Sequence, residues 1–307
     1  MDSIKVFSPG SITNLSCGYD VLGVCLEKRG DEIEVLKTMS KGIEIESKDS
    51  FNISSNINEN VAGIAAQAML KNVDIDFGLK IIINKGIKPG SGIGSSAASS
   101  AGTVYAINQL LNSHFDNLDL VRFSMEGENF VSGSYHADNV APIIFGGITL
   151  VRSITDLDII KLPSPKSLEV IIIRPNIEIK TSDSRRVVKK KVKIEKMVQQ
   201  SANLGAFISS LYSEDFDLMS RSVVDEVVEP DRSMLIPEFE SIKKISIESG
   251  ALSCGISGSG PSIFALSNNS KTSKIILDNI CSHLDKVNID YDSFISKVNP
   301  KGIKILD

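Results

Sequence analysis

The chain has 307 residues, of which 42% are hydrophobic and 23% are charged, and its formal net charge is −5. This length and composition are typical of a globular protein with two domains and a sizeable core. The negative charge provides no basic field for a nucleic acid, and no apolar run is long enough to span a bilayer, so we expect no nucleic acid and no membrane partner. The N-terminal residues lack an apolar signal core, and we expect a cytoplasmic protein.

The first half of the chain is predicted to alternate strands and helices. Residues 31–36 and 78–83 are rich in Ile and Val over a strand-like length, and residues 60–70 between them predict a helix. Residues 95–111 are rich in alanine, with apolar residues at helical spacing, and predict a second helix. This helix begins directly after a glycine-rich loop, so the loop is expected at a helix N-terminus.

The character of the sequence changes after residue 155, where two prolines follow, and we place a domain boundary between residues 155 and 156. Beyond it come the strand-like LEVIIIRP, helical stretches over residues 185–212 and 237–249, and the glycine-rich CGISGSGP before SIFAL. This order predicts an α+β second domain. The late glycine-rich segment is expected to form a turn that closes over a ligand, supports the first glycine loop, or is only structural.

Residues 89–102, PGSGIGSSAASSAG, are the most informative stretch for function. Three glycines at alternate positions let backbone N–H groups point one way, and the following helix adds unsatisfied N–H groups and a positive dipole end. This pattern predicts an anion cradle in which Ser95 and Ser96 cap the helix and contact a phosphate or a magnesium ion. The Lys-Ser/Thr of a P-loop is missing, and the GxGxG spacing differs from the dinucleotide fingerprint, which argues against an NAD-dependent dehydrogenase.

The same stretch is similar to the ATP-binding loop of the GHMP kinases. Two further segments, SPGSITNLSCGYDVLG near the start and SGSGPSIFAL near the end, resemble the other motifs of this superfamily in the same order. The resemblance covers essentially the whole chain and implies an α+β fold of two domains. These are an N-terminal α/β domain, residues 1–155, with the phosphate loop at a helix N-terminus, and a C-terminal α+β ferredoxin-like sandwich, residues 156–307. It also implies a small-molecule kinase that uses ATP and Mg²⁺ and forms a homodimer.

Three patches resemble the homoserine kinase family within this superfamily: Asn14 to Asp20, His136 to Pro142 with the IIFGG that follows, and Val228 to Pro237. L-Homoserine is then the implied acceptor, and its ammonium and carboxylate groups require an acid and a bidentate arginine. By this resemblance the acceptor site contains Asn14, Asp20, His136, Asn139, Arg185 and Arg232. Thr181 is expected between the nucleotide and the acceptor, and Arg186 is an alternative to the adjacent Arg185.

The resemblance also implies the nucleotide and metal residues. The nucleotide is expected to contact Asn60 and Lys88, Pro89, Gly90, Ser91, Gly92, Ile93, Gly94, Ser95, Ser96, Ala97 and Ala98. Magnesium is expected on Ser96 and Glu128, because Mg²⁺ needs few protein oxygens when phosphate oxygens complete its shell. The neighbouring Glu126 is expected to be a surface charge. Catalytic roles are implied for Glu128, Asn139, Thr181 and Arg185, whereas Asp138 is either a base or a structural residue.

Two alternatives stay open. A related GHMP kinase acting on mevalonate or, as in archaea, on shikimate would share the fold, the ATP and the metal and differ only in the acceptor pocket. A catalytically silent GHMP-fold protein that serves as a binding module is the other alternative. The presence of Glu128, Ser95 and Ser96 argues against the silent protein.

Overall fold

The computed structural model describes residues 2–48, 51–177, 179 and 181–306, without the side chains of Thr181 and Ser182. Its strands are β1 (Ser3–Asn14), β2 (Gly18–Thr38), β3 (Ile43–Ser47), β4 (Gly78–Asn84), β5 (Ile148–Ser153), β6 (Asp158–Leu162), β7 (Glu169–Pro175), β8 (Ser253–Ile256), β9 (Ile263–Ser267), β10 (Tyr291–Lys297) and β11 (Lys304–Leu306). Its α-helices are α1 (Val61–Leu70), α2 (Ser95–Leu110), α3 (Asn117–Ser132), α4 (Val140–Phe145), α5 (Thr181–Arg186), α6 (Ile194–Ser213), α7 (Phe216–Ser222), α8 (Glu229–Arg232), α9 (Phe239–Glu248) and α10 (Ser270–Lys286).

The first sheet has the strand order β11-β1-β2-β4-β3, and the hairpin β5–β6 joins it through β2. The pairing of β3 with β4 is parallel, and the other pairings in this sheet are antiparallel. Apolar residues alternate along β2 and β4, so Ile33, Val35, Ile81 and Ile83 are buried on one face. This pattern confirms the two strands predicted from Ile and Val content.

Helix α2 packs against β1 and β2, with α1 and α3 beside it. Its first half consists of Ser, Ala and Gly residues, and nearly all of them are buried. Small side chains allow the helix to approach the sheet closely: a Cβ added at Gly102 would lie 2.7 Å from the Ser8 Cβ. The sheet therefore holds the N-terminus of α2, and the glycine-rich loop before it, in a fixed position.

The second sheet has the order β10-β7-β9-β8, and all of its pairings are antiparallel. Numbered along the chain, its strands lie in the order 4-1-3-2, which is the order of a ferredoxin-like domain. Helices α9 and α10 pack on this sheet. Their buried residues, such as Ile242 and Ile276, form a second core with Ile171 and Ile173 of β7. The predicted ferredoxin-like sandwich is confirmed.

Two details differ from the sequence-based expectations. The first sheet continues past the predicted boundary at residue 155, because β6 pairs with β5, and the chain returns to the same sheet at β11. Residues 185–212 form two helices instead of one, since α5 ends at Arg186 and α6 begins at Ile194. Between them the Lys189 backbone N–H and ammonium both donate to the Asp231 carboxylate, at 3.1 and 2.9 Å. A continuous helix would also place Lys189 and Lys193 one turn apart with like charge.

Within the described ranges, no helix combines the length and the apolar character needed to cross a membrane.

Candidate active site

A cleft of about 420 Å³ lies where the glycine-rich loop meets the β1–β2 turn and the helices of the second half. It brings together residues that are far apart in the sequence. Of the predicted site residues, those that line it are Asn14, Asp20, Asn60, Pro89, Gly90, Gly92, Gly94, Ser95, Ser96, Glu128, His136, Asn139, Arg185 and Arg232. The predicted set is therefore largely gathered in one place, although its members come from at least seven separate segments.

The glycine loop, residues 88–94, forms one wall of the cleft. Gly90, Gly92 and Gly94 have φ angles of 69°, 81° and 69°, a region that only glycine adopts readily. Helix α2 begins immediately after it, and the first bond of its ladder runs from the Ala98 N–H to the Gly94 carbonyl at 2.9 Å. The preceding N–H groups thus have no partner within the helix and face the region where an anion would bind.

The late glycine-rich segment, residues 255–261, packs directly on the glycine loop. The Ser257 hydroxyl donates to the Gly92 carbonyl and the Ser262 hydroxyl to the Ser91 carbonyl, each at 2.6 Å. A Cβ added at Gly92 would lie 2.7 Å from the Gly260 carbonyl oxygen. Of the roles expected for this segment, support of the first loop agrees with these contacts.

Replacing Gly92 with alanine is expected to weaken nucleotide binding by about 10-fold or more, because a displaced cradle no longer aligns its N–H groups. The new methyl group meets backbone atoms at a φ of +81°, so either the loop or its support must move. Isothermal titration with ADP measures the effect. Gly133→Ala is the matched control, since its φ is +72° but no atom lies within 4 Å of the added Cβ. Equal ADP affinity in Gly92→Ala and wild type would contradict the prediction.

Both ends of the glycine loop are held by a buried polar cluster that the sequence did not reveal. The Ser95 hydroxyl donates to the Ile87 carbonyl at 2.9 Å and joins the two ends of the loop. The Lys85 ammonium donates to the Asp31 carboxylate, to the Ser95 carbonyl at 2.8 Å and to the Ser99 hydroxyl at 3.0 Å. Lys85 lines the cleft, but its side chain is only 2% exposed. Sequence reasoning included neither Lys85 nor Asp31.

Glu128 of α3 and Ser96 of α2, the two residues expected to hold the metal, both line the cleft. The Ser96 side chain is close enough to the Glu128 carboxylate to act on its pKa. Glu128 is 4% exposed, and its Oε1 has no hydrogen-bond partner among the described residues. Burial raises the pKa of Glu128 above its usual value, while His136 and the Ser96 contact act in the opposite direction. The lone pairs of a buried carboxylate oxygen are thus available to a ligand.

His136 and Asp138 form a buried pair next to Glu128. The Nδ1 atom of His136 lies 3.3 Å from Oδ1 of Asp138, and Nε2 contacts the Ser132 hydroxyl at 3.0 Å. Burial acts to lower the pKa of His136, but the contact with Asp138 and the charges of Asp138 and Glu128 outweigh burial and raise it. The imidazole is thus held by a hydrogen bond at Nε2 and by a charge contact with Asp138 at Nδ1.

The opposite side of the cleft carries Asp20, Arg185 and Arg232. Arg185 lies 3.5 Å from Asp20, measured from Nη2 to Oδ1, and its side chain is 29% exposed. Arg186 points away, is 82% exposed and lies 4.0 Å from Asp183. Of the two arginines considered from the sequence, Arg185 is the one that lines the cleft. Burial and the charge of Asp138 raise the pKa of Asp20, against the effect of Arg185.

Arg232 is held rigidly. Its Nε donates to the Ser184 carbonyl and its Nη1 to the Gly258 carbonyl, each at 3.0 Å, and its guanidinium lies over the Tyr19 ring at 5.1 Å. Arg232 is 4% exposed, and burial lowers its pKa from the ordinary arginine value. A guanidinium has five N–H donors, so at least one N–H on each terminal nitrogen is not used by these two carbonyls.

Asn14 joins three parts of the acceptor side. Its side-chain amide donates to the Gly258 carbonyl at 2.9 Å, and its Oδ1 accepts from the Asp20 N–H at 3.0 Å. Asn14 has a φ of +73° and Asp20 a φ of +58°, so this turn is a strained backbone segment. Such strain is common at ligand-binding sites, where the surrounding structure enforces it.

The other predicted residues either make structural contacts at the cleft or are buried behind it. The Lys88 ammonium donates to the Asn176 side chain at 3.1 Å, and Asn60 caps α1 by accepting from the Ala62 N–H at 2.9 Å. Ile93, Ala97 and Ala98 are buried in the core behind the loop, and Ser91 is also buried. Asn139 accepts a hydrogen bond from the Ser11 hydroxyl at 2.9 Å beneath the glycine loop. The side chain of Thr181 lies outside the described part of the structure.

One end of the cleft is apolar, and sequence reasoning did not predict it. Its lining includes Phe51, Ile53, Val61, Ile83 and Val131. These residues come from the segment before α1, from the first residue of α1, from β4 and from the end of α3, so no local pattern joins them. A flat apolar group attached to the phosphates would bury its faces at this end.

Among the described residues, no group of three or more His, Cys, Asp or Glu side chains is arranged to hold a metal ion. A divalent cation in this cleft would accordingly rely on Glu128 and Ser96 together with phosphate oxygens.

The chain matches two families of known proteins. The family described as "GHMP kinases N terminal domain" matches residues 60–147, and the family described as "GHMP kinases C terminal" matches residues 207–286. A homoserine kinase of Chlorobium phaeobacteroides is 35% identical over the full length of both chains. A homoserine kinase of Methanococcus maripaludis is 40% identical over 87% of this chain and 88% of the relative. The crystal structure of homoserine kinase from Cytophaga hutchinsonii is 42% identical, with a TM-score of 0.96 over 100% of this chain and 98% of that chain.

Proposed function

Because the chain belongs to the homoserine kinase family of the GHMP kinases, we propose that it transfers the γ-phosphoryl group of ATP to the side-chain hydroxyl of L-homoserine. The products are ADP and O-phospho-L-homoserine, an intermediate of threonine biosynthesis. One observation carries the proposal: a single cleft joins an anion cradle at a helix N-terminus to a pocket of one carboxylate and two arginines. An amino acid with a hydroxyl side chain needs that second set, since it carries both an ammonium and a carboxylate.

The nucleotide would lie along the glycine loop. Its phosphates would accept hydrogen bonds from the backbone N–H groups between Gly90 and Ala97, where the dipole of α2 adds positive potential. The adenine would occupy the apolar end between Phe51, Val61 and Val131. This arrangement directs the γ-phosphate toward the region between Ser96 and the acceptor pocket. Lys88 would stay at the rim, where it contacts Asn176.

The residues present fit a magnesium ion. Glu128 supplies a buried carboxylate oxygen without a partner, and the Ser96 hydroxyl lies beside it. Such hard oxygen ligands, few in number, suit Mg²⁺ when phosphates and water complete an octahedral shell. When bound, the ion would neutralise the charge that develops on the phosphate oxygens. Glu128 and Ser96 therefore have the role of holding that charge next to the γ-phosphate position.

The acceptor would be bound by its two charges. Arg185 and Arg232 would donate to the homoserine carboxylate, because a guanidinium matches a carboxylate through paired N–H groups. Asp20 would accept from the ammonium group, and His136 and Asn139 would line the space for the hydroxyalkyl chain. Asn14 contributes indirectly, since both ends of its amide are used to hold Asp20 and Gly258.

The transfer itself requires alignment more than a strong base. The hydroxyl oxygen of homoserine forms a bond to the γ-phosphorus as the bond from that phosphorus to the bridging oxygen of ADP breaks, and the hydroxyl proton then passes to an oxygen of the transferred phosphoryl group and from there to water. In such a loose transition state the nucleophile keeps its proton until late, so positioning and charge neutralisation supply most of the rate. Asp138 contacts His136 at 3.3 Å. That contact supports a positioning role for Asp138, with the imidazole as its partner.

A coupled assay of ADP release tests the proposal. With Mg-ATP, L-homoserine is expected to support turnover, whereas mevalonate, shikimate and galactose are expected to give no more ADP than the assay without acceptor. The reason is that only homoserine pairs both an ammonium with Asp20 and a carboxylate with Arg232. Turnover of mevalonate or shikimate in place of homoserine would reassign the acceptor pocket and leave the fold and the nucleotide site unchanged. ATP binding without turnover of any acceptor would favour a silent binding module.

We also propose that the enzyme is a cytoplasmic homodimer.

A further inference from the structure

The glycine loop depends on a buried ion pair that lies behind it. The side chains of Asp31 and Lys85 are 0% and 2% exposed, and the two residues belong to neighbouring parts of the first sheet. The antiparallel register of β2 and β4 pairs Glu32 with Asn84, so the next residues outward on each strand, Asp31 and Lys85, come together where β4 enters the loop. The pair therefore lies at the base of the glycine loop, where Lys85 forms part of the cleft wall and Asp31 is buried behind it.

The Lys85 ammonium is fully used by the protein. Its three N–H donors are directed to the Asp31 carboxylate, the Ser95 carbonyl at 2.8 Å and the Ser99 hydroxyl at 3.0 Å. An ammonium has three donors and no acceptor, so Lys85 has none left for a phosphate. Although Lys85 lines the cleft, its contacts make it a support for the first turn of α2.

The Asp31 carboxylate is equally saturated. Its Oδ1 accepts from the Gly86 N–H at 3.1 Å and the Ile87 N–H at 3.3 Å, while its Oδ2 accepts from Lys85 and from the Ser99 hydroxyl at 2.9 Å. One carboxylate thus fixes the chain entering the loop and, through Lys85 and Ser99, the helix leaving it. The Ser95 hydroxyl closes the same ring by donating to the Ile87 carbonyl.

A buried ion pair is an expensive way to stabilise a fold, because the cost of removing both charges from water can exceed their attraction. Apolar residues of similar size would fill this space with less penalty. The pair is better explained by what it defines: the distance and angle between the two ends of the loop. Those quantities decide whether the N–H groups at residues 90–97 converge on one point.

We infer that Asp31 and Lys85 are positioning residues that set the shape of the phosphate cradle without touching the nucleotide. The inference rests on the proposed function only in taking a nucleoside triphosphate as the ligand of the loop. Loss of the pair should weaken nucleotide binding and leave homoserine binding unchanged, because Asn14 and Arg232 are held by the Gly258 and Ser184 carbonyls and make no hydrogen bond with Asp31 or Lys85.

Steady-state kinetics of Asp31→Asn, Lys85→Met and the double variant test the inference. We expect KM for ATP to rise by about 10- to 100-fold in each single variant, as for other misplaced binding groups. KM for homoserine should stay within about twofold, and the double variant should cost no more than the worse single one, because the two residues act as one unit. A merely structural role would lower kcat through loss of folded enzyme and change neither KM. The matched control is Glu32→Gln, whose exposed carboxylate pairs with Lys5.

Direct binding separates this inference from the proposed function. Isothermal titration of the full chain with ADP needs no acceptor, so weaker ADP binding in Asp31→Asn would support the inference even if homoserine were not the substrate. Wild-type ADP affinity in a folded Asp31→Asn protein would overturn it and leave the kinase assignment intact. Should both charge variants fail to fold, Ser99→Ala removes only the hydroxyl that links Lys85 to Asp31. ADP affinity equal to wild type in Ser99→Ala would then overturn the inference, and a loss of about threefold or more would support it.

Discussion

Replacing Glu128 with glutamine is expected to lower kcat for homoserine phosphorylation by at least about 100-fold, as removal of a main electrostatic element does in other enzymes. Glutamine keeps the shape of the side chain but removes the negative charge, and its amide nitrogen cannot bind a cation. The buried Oε1 has no hydrogen-bond partner among the described residues, so the carboxylate is already arranged for a ligand. Initial rates at saturating ATP and homoserine, over a range of Mg²⁺ concentrations, measure the effect.

The control for this variant is Glu126→Gln, two residues earlier on the same helix. Glu126 is half-buried, and its carboxylate accepts a hydrogen bond from the exposed Tyr135 hydroxyl at 3.1 Å. Its charge is far better screened by water, so kcat should stay within about twofold of wild type. Thermal unfolding of Glu128→Gln should change little, because burial already raises the pKa of this carboxyl and disfavours its charged form. Wild-type turnover in Glu128→Gln would exclude Glu128 from the metal site.

The backbone shape of the glycine loop was predictable because its signal is local. Glycines at alternate positions require positive φ angles, and the alanine-rich run after Ser95 forms a helix wherever it can bury a face of small side chains. The structure shows both features, with Gly92 at +81° and α2 buried along most of its length. The pairing of Ser96 with Glu128 came from the resemblance alone, since 32 residues and a helix-to-helix contact separate the two.

Lys85 and Asp31 could not be recognised in the same way. They are 54 residues apart; Asp31 begins one predicted strand and Lys85 lies just beyond the end of another, where a charged residue is ordinarily exposed. Only the register of β2 against β4 shows that the two charges must meet inside the protein. The apolar end of the cleft was missed for a similar reason, because Phe51, Val61 and Val131 belong to three separate segments.

The break between α5 and α6 shows a limit of helical patterns. The apolar residues of the predicted helix over residues 185–212 have helical spacing. Their spacing does not show whether a tertiary contact elsewhere in the fold will interrupt the helix. The contacts of Lys189 with Asp231 hold this segment against α8, which carries Arg232. Because α5 is separate from α6, Arg185 can point toward Asp20 in the cleft, whereas Arg186 faces solvent.

Replacing Arg232 with alanine is expected to lower kcat/KM for homoserine by about 100- to 1000-fold, because a buried charge-assisted contact to the carboxylate is lost and its partners remain unpaired. The guanidinium also holds the Ser184 and Gly258 carbonyls, each at 3.0 Å, so its removal takes the donor from the Ser184 carbonyl and leaves the Gly258 carbonyl with the Asn14 amide alone. KM for ATP should rise by no more than about threefold, since the glycine loop is fixed by the Ser257 and Ser262 hydroxyls.

Two further arginine variants make the test of Arg232 specific to the carboxylate. Arg232→Lys keeps a positive charge but loses the planar fork, and it should recover only part of the homoserine affinity. Arg186→Ala, at an exposed position on α5, should behave as wild type, whereas Arg185→Ala should raise KM for homoserine. If Arg232→Ala leaves both KM and kcat for homoserine unchanged, Arg232 does not bind the substrate, and the guanidinium serves only to join α5 to the turn at Gly258. If KM for ATP rises as steeply as KM for homoserine, Arg232 acts on the cradle instead of the acceptor.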